Sequence, residues 1–114
     1  MPGKMTFNVY DDVHKKNAEG IEYDLWRINN GKDRVNMKHE KLAVGNSHVL
    51  VEANKEEELG TFEVVIYAKD YFDRFNENIE VKNSRYVIPF GVKDLSKDYH
   101  LNIHISPDSY TCTL

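Results

Sequence analysis

The residues most able to do chemistry lie in one short segment near the C-terminus, residues 99–106, with the sequence YHLNIHIS. At a period of two, its aliphatic residues fall on one face of a β-strand, while His100, Asn102 and His104 fall on the other. An imidazole exchanges protons near neutral pH, because its ordinary pKa is about 6.5. This face is therefore a candidate for general acid/base catalysis, and water-exposed sheet surface is the alternative interpretation.

Distance argues against a metal ion bound within this one strand. His100 and His104 are four residues apart, which is roughly 13 Å at a rise of ~3.3 Å per residue. Ligand nitrogens lie about 2.1 Å from a zinc ion, so one ion cannot reach both. Only a site shared across a symmetry axis would escape this limit. We therefore expect neither a metal nor a cofactor.

Other catalytic signatures are weak. No serine lies in the glycine pattern of a nucleophile elbow, and the sequence has no glycine-rich phosphate loop. Cys112 alternates with Thr111 and Thr113, which predicts a thiol directed towards the core. We expect His14 and His39 to lie in solvated surface positions.

Composition sets the class of protein. The chain has 114 residues, a net charge of -4 and no concentrated run of Lys or Arg, which fits one domain over residues 1–114 and disfavours nucleic acid as a partner. No apolar stretch reaches the ~18 residues of a membrane span, and the first residues lack the apolar run of a signal peptide. The only cysteine cannot form an intrachain disulfide. We expect a cytoplasmic protein that does not bind membranes.

Alternation of apolar and polar residues, rather than a helical period, organises the rest of the chain. It predicts eight strands, at residues 5–10, 21–29, 35–44, 48–53, 61–68, 85–92, 99–106 and 109–114. Residues 69–78 place aromatics at helical spacing and predict one short helix. Pro89 indicates an edge strand or a β-bulge, and Asn30-Gly31 indicates a turn. The fold class predicted is an all-β, eight-stranded antiparallel two-sheet sandwich with one short helix.

Three segments together resemble the transthyretin and 5-hydroxyisourate hydrolase family. Residues 98–114, DYHLNIHISPDSYTCTL, resemble its C-terminal end, where the hydrolases carry His-Tyr-His, an apolar strand, Ser-Pro and a terminal Tyr-Arg-Gly-Ser. Residues 60–72, GTFEVVIYAKDYF, resemble a strand and the following helix start. Residues 5–28 are similar to the first two strands. The resemblance covers nearly the whole chain, in order.

This resemblance implies a transthyretin-like sandwich of eight strands and one short helix, in agreement with the strand count. It also implies a homotetramer, a dimer of dimers, that encloses a channel for a small-molecule ligand or substrate. The family's channel is lined from the first, penultimate and last strands. The polar side of residues 99–106 would then line that channel.

The hydrolase site that the family implies is largely altered in this sequence. His100 matches the second histidine of His-Tyr-His, whereas Asp98 replaces the first. Asn8 stands where the hydrolases have a first-strand histidine, and the family's arginine falls at Ser47 or His48. The terminal Tyr-Arg-Gly-Ser is absent. An amide cannot act as a general base, and losing the arginine removes a fork that would hold a carbonyl or an anionic ring.

Two functions of different classes follow. The first is a divergent enzyme of hydrolase or lyase/isomerase type, acting on a small cyclic or heterocyclic substrate, with His100 as general acid/base and His48 or His104 as a second proton-transfer group. The substrate-binding candidates are Asn8, Ser47, Asn102, Thr111 and Thr113. We favour this enzyme, because a secreted carrier would need an export signal.

The second function is a non-catalytic small-molecule binding protein of the transthyretin type. The hydroxyls of Thr111 and Thr113 match channel positions of transthyretin, but Asn102 and His104 would leave polar groups unmatched against a hydrophobic hormone. Authentic 5-hydroxyisourate hydrolysis in purine catabolism and a role as a partner subunit are further alternatives.

Overall fold

The alternating segments form two stacked β-sheets in a computed structural model, which describes residues 3–30, 33–45 and 47–114. The Gly31 turn position therefore lies outside the described residues. The strands are β1 (Gly3–Asp11), β2 (Lys16–Asn17), β3 (Glu22–Asn29), β4 (Asp33–Lys41), β5 (His48–Ala53), β6 (Gly60–Ile66), β7 (Tyr86–Val92), β8 (Asp98–Ile105) and β9 (Tyr110–Thr113). One helix, α1 (Ala68–Asp73), follows β6, and a 3₁₀ turn spans Glu56–Glu58.

The two sheets have five and four strands. The five-stranded sheet runs β2-β1-β8-β9, with β5 also pairing with β1, and the four-stranded sheet runs β4-β3-β6-β7. The predicted two-sheet sandwich with one short helix is confirmed, and β2 adds a strand of only two residues. One pair, β1 with β8, is parallel, which is possible because a long connection separates these strands in sequence.

The core lies between the sheets and is built by the predicted alternation. Met5, Phe7 and Val9 of β1 are buried, as are Leu101 and Ile103 of β8. The four-stranded sheet contributes Tyr23, Leu25, Phe62, Val64 and Ile66 from the opposite side. Since alternate side chains of a strand point to opposite faces, the residues between these positions in β1 and β8 must project outwards.

The helix is shorter than the sequence pattern indicated. It buries Tyr71 and Phe72 as an amphipathic helix should, but it ends at Asp73. Asn76 and Asn78 then adopt φ angles of 53° and 52°. A right-handed helix cannot continue through such residues, and asparagine is among the few residues that tolerate this conformation.

The position of Pro89 agrees with the edge strand that the sequence indicated. Pro89 lies in β7, which is an edge of the four-stranded sheet, where a residue without an N–H group leaves no ladder bond unmade. At the corresponding edge of the five-stranded sheet lies β9. Across the described residues, no helix has the length and apolar character needed to cross a membrane.

Candidate functional site

The pairing of β1, β8 and β9 places most of the predicted site residues on one outer sheet surface. In the parallel pair, Thr6 lies opposite His100, Asn8 opposite Asn102, and Tyr10 opposite His104. In the antiparallel pair, Thr113 lies opposite Asn102 and Thr111 opposite His104. Paired residues share a face of the sheet. We call this surface the polar face, and its members are Thr6, Asn8, Tyr10, His100, Asn102, His104, Thr111 and Thr113.

His100 is held at both ring nitrogens. Its Nδ1 lies 2.7 Å from the Thr6 hydroxyl, and its Nε2 lies 2.6 Å from Oδ1 of Asn8. Because Oδ1 can only accept, Nε2 carries the hydrogen and donates it to Asn8. In the neutral ring, Nδ1 then accepts from Thr6. The Thr6 hydroxyl also lies 3.2 Å from the carbonyl of Tyr99, so it can turn there when Nδ1 is protonated.

His104 is held at one ring nitrogen, by a residue that the sequence analysis missed. Its Nδ1 lies 2.8 Å from Oδ1 of Asp12, and its ring centroid lies 5.2 Å from that of Tyr10. Asp12 follows β1 directly, and its backbone N–H donates to the carbonyl of Ile105 at 3.0 Å. The Asp12–His104 pair is therefore anchored at the end of the polar face.

The amide and hydroxyl groups around the histidines are open to solvent. Asn102, Thr111 and Thr113 are exposed, whereas Asn8 is partly covered by its contact with His100. Exposed groups of this kind can donate to or accept from a small polar molecule. The structure thus brings six of the eight predicted site residues to one face.

Ser47 and His48 do not join them. His48, in β5, lies opposite Phe7 of β1. The two rings make an edge-to-face contact with their centroids 6.2 Å apart. Its Nε2 lies 3.2 Å from the carbonyl of Gly45. Phe7 points into the core, so His48 occupies the opposite side of the sheet from His100. Ser47 is exposed just before this strand. We leave both out of the proposed site.

A second histidine cluster lies at the end of the sandwich, and it corrects the expectation that His14 is solvated. Asp11 is completely buried and accepts from the Tyr71 hydroxyl at 2.7 Å and from Nδ1 of His14 at 2.5 Å. His14 also contacts the Glu77 carboxylate and stacks on Phe75 with ring centroids 3.8 Å apart. Its side chain is only 16% exposed.

The charges of this cluster are mutually stabilising. Hydrogen bonds to Glu77 and then to Asp11 raise the pKa of His14 above its usual value. Burial acts to raise the pKa of Asp11, but hydrogen bonds from Tyr71, His14 and Val13 outweigh it, so this pKa is lowered. Burial and the bond to Asp11 raise the pKa of Tyr71. The Asp11-x-x-His14 spacing could have indicated this cluster in the sequence. An aspartate side chain often accepts hydrogen bonds from backbone N–H groups two or three residues later in the chain, as Asp11 does from Val13 and His14.

A third cluster lies on the outer face of the four-stranded sheet. Asp24 is nearly buried and accepts from the Tyr67 hydroxyl at 2.6 Å and from Nδ1 of His39. The bond to Asp24 raises the pKa of His39, whose side chain remains 58% exposed. The solvated position expected for His39 is therefore observed, although its ring is oriented by a carboxylate.

A large apolar groove carries no acid/base group suited to neutral pH among the described residues. A groove of about 700 Å³ lies between β7 and β9, with Ile88, Phe90, Leu101 and Cys112 in its wall. No histidine is among the described residues that line it. Cys112 is half-buried against the core, and burial raises the pKa of its thiol, so the thiolate is disfavoured there. Nor do three or more metal-ligating side chains converge anywhere in the described ranges.

The protein is a transthyretin-like β-sandwich, and the polar face lies on the outer surface of its five-stranded sheet. The chain belongs to the HIUase/Transthyretin family, whose profile matches residues 5–113. The resemblance inferred from the sequence is thereby confirmed.

Two curated relatives and one solved structure are similar to the chain. A 5-hydroxyisourate hydrolase of Halalkalibacterium halodurans is 28% identical over 114 residues, which cover 97% of this chain and 96% of that protein. The 5-hydroxyisourate hydrolase 2 of Rhizobium meliloti is 27% identical over 116 residues, covering 96% and 92%. A crystal structure of (S)-allantoin synthase matches with a TM-score of 0.85 and 18% identity, covering 98% of this chain and 43% of that one.

These comparisons differ in what they support. The structural match spans less than half of the allantoin synthase chain and, at 18% identity, shows the fold alone. The matches to the two relatives cover nearly the whole length of each protein, and both relatives are named as hydrolases. Together they support an enzyme-like member of the family.

Proposed function

We propose that the chain is an enzyme that hydrolyses a bond of a small cyclic or heterocyclic substrate at the polar face, by proton transfer through histidine. The observation that carries this proposal is the presence of His100 and His104 on one outer sheet surface, among amide and hydroxyl groups. Imidazole is the side chain best suited to exchange protons at neutral pH. The two relatives named as 5-hydroxyisourate hydrolases support hydrolysis as the reaction class.

The binding groups divide into two kinds. The His100, Asn8 and Thr6 side chains hydrogen-bond one another, which fixes their orientation before a substrate arrives. Asn102, Thr111 and Thr113 are exposed and would supply donors and acceptors for ring carbonyl and N–H groups. This set lacks the arginine of the hydrolases, so we expect a substrate that does not need a guanidinium partner.

We further propose that the chain works as a homotetramer, with two dimers facing each other across the polar face. In one chain this face is an open sheet surface, and a substrate lying on it would stay hydrated. A second copy would exclude water and strengthen the electrostatic contacts in the site. Four copies of a 13.3 kDa chain would sediment at about 53 kDa, whereas a 13.3 kDa monomer would contradict this assembly. A cytoplasmic location stays a prediction from composition.

The enzymatic proposal is tested with ring compounds. 5-Hydroxyisourate is generated from urate in the assay, and its loss is followed by UV absorbance with and without the protein; hydantoin and dihydrouracil extend the series. We expect the wild-type chain to accelerate the loss of at least one of them, and a His100→Gln, His104→Gln double variant to lose this activity. The control is His39→Gln, which removes an imidazole from the other sheet. Equal activity in the double variant would refute histidine catalysis at this face.

One observation favours the second candidate, a non-catalytic small-molecule binding protein. Both ring nitrogens of His100 are already hydrogen-bonded inside the protein, as expected for a side chain that shapes a surface rather than reacting. This candidate predicts stoichiometric binding of a ring compound in calorimetry, with the compound recovered unchanged. In the absorbance assay, rapid loss of 5-hydroxyisourate and of no other ring compound would indicate authentic 5-hydroxyisourate hydrolysis.

A further inference from the structure

We propose that the proton-transfer group of this chain is His104, with Asp12 as its positioning residue, and that His100 serves to orient the polar groups beside it. This inference rests on the proposed function, because it assigns roles within the same polar face. It differs from the family-based expectation, in which His100 carries the chemistry.

The first step is the tautomer of His104. Its Nδ1 lies 2.8 Å from an Asp12 carboxylate oxygen, and an ionised carboxylate can only accept. The hydrogen of a neutral His104 ring must therefore reside on Nδ1. The lone pair of Nε2 is then available to accept a proton, which is the arrangement that a general base requires. Among the described residues, none is recorded as bonding to this Nε2.

The second step is the contrast with His100. Its Nε2–H donates to Asn8, and its Nδ1 lies 2.7 Å from the Thr6 hydroxyl. For Nδ1 to take a proton from a substrate, the Thr6 contact must be given up or reversed. His100, which matches the family, thus has both ring nitrogens hydrogen-bonded, whereas Nε2 of His104 has no partner among the described residues.

The third step is access and rigidity. The side chain of His104 is 37% exposed, with the Tyr10 ring on one side and Thr111 opposite it in the neighbouring strand. The backbone of Asp12 is fixed to β8, because its N–H donates to the Ile105 carbonyl. The adjacent Asp11 is fixed in the core. The His104 side chain is therefore accessible to a small molecule, while the pair keeps its geometry.

The Asp12–His104 pair can support hydrolysis that needs only water and the ring substrate. As the oxygen of a water molecule bonds to a ring carbonyl carbon, the π electron pair of the C=O bond moves to the carbonyl oxygen, Nε2 of His104 takes a proton from the water, and Asp12 stabilises the imidazolium. The C=O bond then re-forms as the bond from that carbon to the ring nitrogen breaks, and the same proton passes from His104 to the leaving nitrogen. No electron acceptor is needed, and His104 returns to its starting tautomer. The substrate class is a cyclic amide or imide.

The first test needs no substrate. Long-range ¹H–¹⁵N correlation spectra of the imidazoles report which nitrogen carries the hydrogen. We expect the neutral His104 ring to be in the Nδ1–H form in the wild-type chain. Asp12→Asn should shift it towards the other tautomer, because an amide can donate as well as accept, and Asp12→Glu should restore it. The control is Asp94→Asn, which alters an exposed carboxylate bonded within its own loop.

The second test uses whichever ring compound of the series the wild-type chain consumes. We expect His104→Gln to lower kcat/KM by about 10²–10⁴-fold, Asp12→Asn to lower kcat by a smaller factor, and Asp12→Glu to recover part of the loss. His100→Gln should act mainly on KM. Turnover that survives His104→Gln but not His100→Gln would overturn this inference and leave the proposed function standing. If no ring compound is consumed, the proposed function and the catalytic role of His104 both fail, and the tautomer alone decides whether Asp12 positions the ring.

Discussion

Asp11 and Asp12 are consecutive residues, yet each holds a histidine on a different side of the same sheet. Asp11 is buried at the end of the sandwich and pairs with His14, whose second nitrogen meets Glu77. Asp12 is 47% exposed and pairs with His104, whose second nitrogen has no hydrogen-bond partner among the described residues. The strand pleat explains the separation, because neighbouring side chains point to opposite faces.

The two pairs differ in what contacts the second ring nitrogen of the histidine: a carboxylate in the buried pair and, among the described residues, no hydrogen-bonding group in the outer pair. In the buried pair, two carboxylates and the Phe75 ring surround His14. This arrangement favours the imidazolium form and ties the segment after α1 to the end of β1. In the outer pair, one carboxylate fixes the tautomer and leaves a nitrogen accessible.

Replacing Asp11 should have the largest effect on stability. Asp11→Ala removes the acceptor of the Tyr71 hydroxyl and leaves His14 without its buried partner. Breaking a buried charged pair by removing one member costs about 3–5 kcal/mol. Asp12→Ala removes an exposed pair, which should cost at most about 1 kcal/mol. Urea denaturation of both variants measures these free energies of unfolding, and equal losses would contradict the distinction between the pairs.

Tyr71→Phe should have an intermediate effect. The substitution keeps the ring and its packing but removes the hydroxyl that donates to Asp11 at 2.7 Å. A hydrogen bond to a charged group contributes about 1.5–3 kcal/mol. The matched control is Tyr23→Phe, whose hydroxyl donates to the exposed Glu40 at 3.1 Å and should contribute less. The same urea experiment decides, and a larger loss at Tyr23 would show that Asp11 is not the centre of this cluster.

The fold could be predicted from the sequence because its main signal is local. Alternation placed Met5, Phe7 and Val9 on a buried face, and the same rule placed Leu101 and Ile103 opposite them. Where local signals conflict, the prediction was less accurate. Residues 69–78 have helical spacing, but the two positive-φ asparagines end the helix early.

The candidate site could be predicted only in part, because its partners come from distant segments. Alternation and the family resemblance located His100, Asn8 and His104 on one face. Nothing local indicated that β1 and β8 pair in parallel in the register that brings Asp12 to His104. His14 was expected at the surface because Phe75 and Glu77, which contact its ring, are about sixty residues away in the sequence.

The smallest predicted effect is the pH dependence that His14 gives to stability. Its pKa is raised in the folded chain by Glu77 and then Asp11, so its stabilising contribution is fully present below the unfolded value of about 6.5 and is lost as the pH rises through the folded pKa. The lowered pKa of Asp11 acts in the opposite sense, with a contribution present above about 3.9 and lost as the pH falls through its folded value.

The difference in free energy of unfolding between the wild-type chain and His14→Gln should therefore be largest near a pH of about 5.5 and should shrink in the alkaline range. Urea titrations at a series of pH values measure it. His48→Gln is the matched control, because the recorded partner of that imidazole is a backbone carbonyl rather than a carboxylate. A difference that stays constant with pH would mean that His14 stabilises the chain by packing on Phe75 and not by its charge.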